Sequence, residues 1–166
     1  MDSTIVRAHQ CAAGGSRKAG NTESQALGRS RGGFGTKIHA ETGSETFPLY
    51  LGLSGGQASD CKAGMPLVRK VCEDAAVGGL ACDKGYDAKE IRGTLAGSAK
   101  EAVIPSVKNR RNPVPHDAAK YRERNKAERW NNRIKWFRAV ATRYDKLSEV
   151  FMAVIQLAAA VVLLRS

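Results

Sequence analysis

Polar and apolar positions change rhythm several times along the chain, and each rhythm predicts an element. "TKIHAET" (36–42) and "TFPLYLGL" (46–53) alternate imperfectly on a period of two and read as strands around a Gly-Ser turn. Ser59 or Asp60 then caps a helix over about 61–74, with Met65, Val68, Val71 and Cys72 toward the core. "AVGGLACD" (76–83) reads as a short buried strand ending in a charge. "DAKEIRGTLAGSA" (87–99) reads as a helix opened by Asp87, and "EAVIPSV" (101–107) as a further strand. Strand, helix, strand in that order predicts a parallel crossover.

A basic, proline-containing connector (108–117) follows, and Asp117 starts a long helix running to Ala141. On a 3.6-residue period, Ala127, Trp130, Ile134, Phe137 and Ala141 form its core stripe. Tyr121, Arg124, Glu128, Asn131 and Lys135 form a second sector. Arg122, Lys126, Arg129 and Arg133 cover the rest. A last helix, 147–164, is almost wholly apolar, but its uncharged run 150–164 falls short of the roughly 20 residues a bilayer needs. It is expected to be buried in the protein, with no membrane partner. Residues 12–35, rich in Gly and Ser and carrying Arg17, Lys18, Arg29 and Arg31, read as a basic loop. The fold class is α+β (α/β), with antiparallel strands first and the crossover after them.

Charge changes the picture from fold to function. The net charge is +11, and residues 107–146 carry 13 Lys/Arg against 4 Asp/Glu. Basicity concentrated in a quarter of the chain points to a long polyanion, DNA or RNA. The four cysteines, Cys11, Cys61, Cys72 and Cys82, form no CxxC pair and fit neither a disulfide framework nor a zinc site. His9 and Cys11 lack a third ligand. "MDSTIVRAHQ" has no apolar leader run, and Gly32–Gly33 belong to no phosphate-loop pattern.

Within this basic helix, Glu128 has two readings. One is an ordinary i,i+4 pair with Arg124, worth a few tenths of a kcal/mol. The other is a metal-binding acid that joins aspartates at strand ends: Asp83, which closes 76–83, and Asp2, ahead of the apolar pair Ile5–Val6. Three such carboxylates suit two Mg²⁺ ions working on a phosphodiester, while nearby Arg and Lys hold the anionic backbone.

The stretches "DSTIVRAHQ", "GRSRGGFGTKIHAE", "GGQASD", "ACDKGYDA", "YRERNKAERWNNRIKWFRAVATRYDK" and "FMAVIQLAAAVVLL" resemble, in order and spacing, the catalytic C-terminal part of IS5/IS4-like DDE insertion-sequence transposases. The likeness spans 2–165 as one partial catalytic domain over 1–166. The family signature Tyr-x2-Arg-x3-Glu-x6-Lys appears here as Tyr121, Arg124, Glu128 and Lys135.

The resemblance implies an RNase H-like mixed sheet flanked by helices, with Asp2, Asp83 and Glu128 as catalytic acids and ligands of two Mg²⁺ (or Mn²⁺) ions. It implies DNA contacts from Tyr121, Arg122, Arg124, Lys126, Arg129, Arg133, Lys135 and Arg138, and support of the Asp83 turn by Lys84 and Tyr86. Its partners would be double-stranded DNA at inverted-repeat ends, target DNA, a second copy or an N-terminal transposase fragment, in the bacterial cytoplasm at the nucleoid.

Because only Met1 precedes Asp2, most of the first central strand is expected to be missing, the chain reads as N-terminally truncated, and residues 1–166 alone are expected to be weakly active or inactive. The alternatives are a catalytically silent remnant that binds DNA or transposase, an RNase H-like nuclease without strand transfer, and a small membrane-associated protein.

Overall fold

The computed structural model describes residues 1–15 and 25–165. β1 (Asp2–Ala8) pairs antiparallel with β3 (Gly33–Thr42), and β3 pairs antiparallel with β4 (Pro48–Gly55). Short β2 (Gly28–Ser30) joins the first residues of β3, and β7 (Thr142–Arg143) runs parallel to the end of β1. The result is a mixed five-stranded sheet. β5 (Gly79–Ala81) and β6 (Glu101–Val103) form a separate parallel pair linked by helix α2 (Lys89–Gly97), the crossover that the sequence order predicts.

Helices cover both faces of the main sheet. Side chains alternate along β3, so Ile38 and Ala40 point one way and Lys37, His39 and Glu41 the other. Ile38 and Ala40 join Val6 against α4 (Asn125–Ile134) and α6 (Ser148–Leu164), in a core with Trp130, Ile134, Phe151 and Ile155. On the opposite face α1 (Asp60–Glu73) contributes Met65, Leu67, Val68 and Val71 to a second core with Leu80, Ile91 and Leu95. Each fully buried side chain of this kind contributes about 1.5–3 kcal/mol.

β1 lies inside the main sheet, between β3 and β7, with Asp2 at its head, and six consecutive residues, Asp2 to Arg7, pair with β3. Among the described residues no strand pairing joins β1 to the β5–β6 unit. The Met1 amino group donates to the Ala81 carbonyl and lies 2.7 Å from Glu41 Oε2.

The region 12–35 is not wholly loop. A 3₁₀ turn covers Gln10–Gly15, and β2 and the start of β3 occupy 28–35, where backbone pairing suffices without an apolar pattern. Arg17 and Lys18 lie outside the described residues.

The expected long helix is three pieces: α3 (Ala118–Arg122), α4 and α5 (Arg138–Ala141). At the first junction, Arg124 N bonds Tyr121 O at 3.1 Å and Ala127 N bonds Arg124 O at 3.0 Å, a three-residue spacing that tightens the turn. At the second, Phe137 has ψ 112°, so the chain leaves the helical path before β7. Asp117 caps α3 as expected, accepting from Ala119 N at 2.8 Å and Lys120 N at 3.1 Å. Asp117→Ala is expected to lower the urea unfolding midpoint, because two helix amides lose their acceptor.

Asp87 is not a cap. Its buried carboxylate binds Arg92, Arg110 and Val107 N. Helix α6 is buried on one face only: Phe151 and Ile155 are inside, while Leu157 is 69% exposed. No helix among the described residues is long and apolar enough to cross a membrane.

Candidate active site

The acid at the head of β1 is held by the helix packed above it. Asp2 pairs in register with Ala40, so it projects on the α4 side of the sheet. Ala127, Trp130 and Ile134 seat α4 on that face and turn its second sector toward Asp2. Arg124 Nη1 donates to Asp2 Oδ1 at 3.2 Å, and Asn131 Nδ2 donates to Asp2 Oδ2 at 3.0 Å. Burial pushes the Asp2 carboxyl up, against the pull of Arg124 and Asn131.

Lys135 lies on the same side. Burial lowers its ammonium, and attraction to Asp2 opposes the shift. Arg124 also donates through Nη2 to Glu128. Against the cost of burial, Tyr121, Asp2 and Glu128 raise its guanidinium further into the charged range. Glu128 itself stays exposed, which agrees with its place outside the core stripe. The i,i+4 pair with Arg124 therefore exists, but it is one half of a bridge whose other half is Asp2.

Asp83 arrives from the other sheet. Two residues past β5 it caps a 3₁₀ turn, Lys84–Tyr86, by accepting from Gly85 N at 3.1 Å. A groove of about 590 Å³ opens on Asp83, lined also by Lys84, Gly85, Val107, Lys108 and Asn109. A second cleft, about 300 Å³, lies between α4 and β5, with Arg124 and Lys126 on one wall and Gly79 and Ala81 on the other. Cys82, next to Asp83 in the chain, is fully buried, its thiol pushed up to about 12 by burial, with the charges of Glu41, Asp2 and Asp83 adding to the shift.

The structure thus joins Asp2 and Glu128 through one guanidinium and brings Asp83 out of the adjacent strand end. It does not gather the three into a metal cluster: among the described residues no three His, Cys, Asp or Glu side chains do so. Arg124 occupies the cation position between two of the acids. In donor type the set fits a hard divalent ion, since carboxylate oxygens are what Mg²⁺ selects, and Asp2 and Glu128 already share a cation. His9 and Cys11 form a local turn, with Cys11 N donating to His9 Nδ1 at 3.3 Å, and His9 stacks on Tyr144.

The basic residues divide. Arg122, Lys126, Arg129 and Arg138 are exposed, and Arg133 is half-buried. Arg129 binds Glu45 of the β3–β4 hairpin at 2.9 Å, and Arg133 approaches it at 3.9 Å. The Arg129 hydrogen bond holds the Glu45 carboxyl below its usual range. Tyr121 lies edge-on to His116 and under Arg124, 5.5 Å from its ring centre. Tyr86 is buried behind the Asp83 turn, and Lys84 is exposed on it.

Sequence reasoning missed Asn131 as a partner of Asp2, although its place in the Arg124–Lys135 sector was the available signal. It also missed Glu45, for which no signal existed.

The Transposase DDE domain family matches residues 1–163. A transposase described for an insertion sequence element of Brucella ovis is 31% identical over 131 residues, covering 78% of this chain and 98% of that relative. No solved structure matches the chain. With its mixed sheet, its helices on both faces and a family match over nearly its full length, the chain belongs to the DDE transposase family.

Proposed function

We propose that this chain acts as the catalytic part of an IS5/IS4-like transposase, cutting phosphodiesters at the inverted-repeat ends of its element and joining the 3′ end to target DNA. Asp2, Asp83 and Glu128 would hold Mg²⁺ or Mn²⁺, two ions in all. Bound there, the metal supplies an activated oxygen nucleophile and charge stabilisation on the leaving oxygen.

The carrying observation is that Arg124 and Asn131, from one sector of the signature helix, both bind Asp2, while Lys135 of the same sector feels its charge. This sector pre-sets the carboxylate at the head of a paired strand, and tight placement is what catalytic groups require. Arg124 is the group that must turn away from the acids, and a DNA phosphate is its natural new partner. Tyr121, Arg122, Lys126, Arg129, Arg133 and Arg138 would follow the backbone of double-stranded DNA, which places the protein at the bacterial nucleoid. Arg122→Ala is expected to weaken DNA binding equally for all sequences and to lower the log–log salt slope by about one, read by titration at several salt concentrations.

Incubation with Mg²⁺ or Mn²⁺, labelled element-end DNA and a target plasmid tests the reaction. Joined 3′ ends support the transposase. Nicks without joining support an RNase H-like nuclease. Binding without either product supports a silent DNA- or transposase-binding protein, in which Arg124 would keep its place between the acids.

A further inference from the structure

Two partly buried polar clusters lie behind the two aspartates, on the α1 face of the sheet. Lys37 Nζ donates to Asp60 Oδ1 at 2.8 Å, and Ser3 Oγ donates to the same oxygen at 2.9 Å. The Tyr86 hydroxyl is 3.1 Å from His39 Nδ1. His39 Nε2 is 2.8 Å from Ser54 Oγ. Ser3 pairs in register with His39 across β1 and β3, so both project toward α1. His39 is fully buried, and Tyr86 is 1% exposed.

Proton directions follow from the Ser54 end inward. Ser54 Oγ donates to the Gly55 carbonyl at 3.5 Å, so its oxygen is left to accept from His39 Nε2–H. Nδ1 then carries the lone pair and accepts from the Tyr86 hydroxyl. Burial drops the His39 pKa to about 4, so the ring is neutral at pH 7 and has one hydrogen and one lone pair for its two partners.

The position of Tyr86 in the chain gives this arrangement consequence. It ends the 3₁₀ turn that Asp83 caps, and its amide donates to the Asp83 carbonyl at 2.9 Å. Its ring packs where Gly64 of α1 has no side chain: a Cβ there would sit 2.6 Å from Tyr86 Cε1. Ser3 directly follows Asp2. His39 stands opposite Ser3 in the register, so the Tyr86–His39 contact ties the paired strands that carry one aspartate to the turn that carries the other.

We propose that His39 is a positioning residue for the metal site: by fixing the Tyr86 hydroxyl, it sets the Asp83 turn relative to Asp2. The inference rests on the metal-binding reading of these aspartates, and its test separates the two. Nitrogen-15 NMR of the wild-type protein is expected to show His39 protonated at Nε2 and bare at Nδ1 at pH 7, where it accepts from Tyr86. A ring protonated at Nδ1 instead would overturn the inference whatever the metal does.

Mn²⁺ binding by calorimetry is the second arm. Tyr86→Phe removes one oxygen and His39→Phe removes both ring contacts. Each is expected to weaken Mn²⁺ about tenfold or more, and His39→Gln, which keeps a donor and an acceptor, to recover most of it. DNA affinity without metal should stay within about twofold. Mn²⁺ affinity unchanged in Tyr86→Phe would overturn the role of His39. Wild-type protein that binds no Mn²⁺ would sink the metal-site reading itself, and this inference with it.

Discussion

Asp83→Ala is expected to reduce Mg²⁺- or Mn²⁺-dependent cleavage of element-end DNA by on the order of a thousandfold, to background, while affinity for the same DNA changes by less than about twofold. Loss of a metal-held charge at the reacting phosphate is worth several kcal/mol, and each 1.36 kcal/mol is about tenfold in rate. Binding should survive because it rests on the basic helix, which Asp83 does not touch. Among the described residues the Asp83 carboxylate bonds only locally, to Gly85 N, so its removal should leave the fold intact. Parallel cleavage and gel-shift assays read both quantities. Equal loss of cleavage and binding would mean that Asp83 supports the DNA surface and not the chemistry.

Trp130→Ala should destabilise the protein by about 3–5 kcal/mol, lowering the thermal midpoint by roughly 10 °C or more. Trp130 is fully buried between α4, α6 and the sheet, so its loss leaves a cavity that Ile134, Ile38 and Phe151 cannot fill without moving. Its indole nitrogen is buried and finds no hydrogen-bond partner among the described residues. Trp130→Phe keeps most of the ring and removes that unpaired donor, so it should cost markedly less. Because α4 also aims Arg124, Glu128 and Asn131 at the site, Trp130→Ala should cost activity beyond the fraction unfolded, whereas Trp130→Phe should not. Calorimetric melting with activity measured well below the midpoint distinguishes the two effects.

The hairpin of β3 and β4, the crossover through α2, the cap at Asp117 and the stripe of Ala127, Trp130 and Ile134 were legible because each is a local pattern with its own period or end signal. Three features were not. Lys37, His39 and Glu41 alternate with apolar residues as a solvent-facing row would, yet all are buried, because α1 covers that face and Asp60, Tyr86 and the Met1 amino group meet them. Local spacing carries no information about what a distant helix will cover. The run from Asp2 to Ala8 offers only the apolar pair Ile5–Val6 as a signal, and it becomes a strand because β3 supplies the partner. The helix over 118–141 keeps its period on paper, but the tight turn at Arg124 and the extended Phe137 are tertiary choices.

The site divides in the same way. The sector of Tyr121, Arg124, Glu128, Asn131 and Lys135 was visible as a sector. Its target, Asp2, is 122 residues from Arg124: the residues offered it only as a candidate acid ahead of Ile5–Val6, and the family resemblance then implied its catalytic role.

The central claim, that Asp2, Asp83 and Glu128 serve one metal centre, is tested most directly by a crystal structure grown with Mn²⁺ and an element-end duplex, with the metal located by anomalous scattering. The account predicts manganese bound by carboxylate oxygens of Asp2 and Asp83, Glu128 facing the same centre, and Arg124 turned onto a DNA phosphate. Manganese absent from these acids, with Arg124 still bridging Asp2 and Glu128 beside bound DNA, would contradict it.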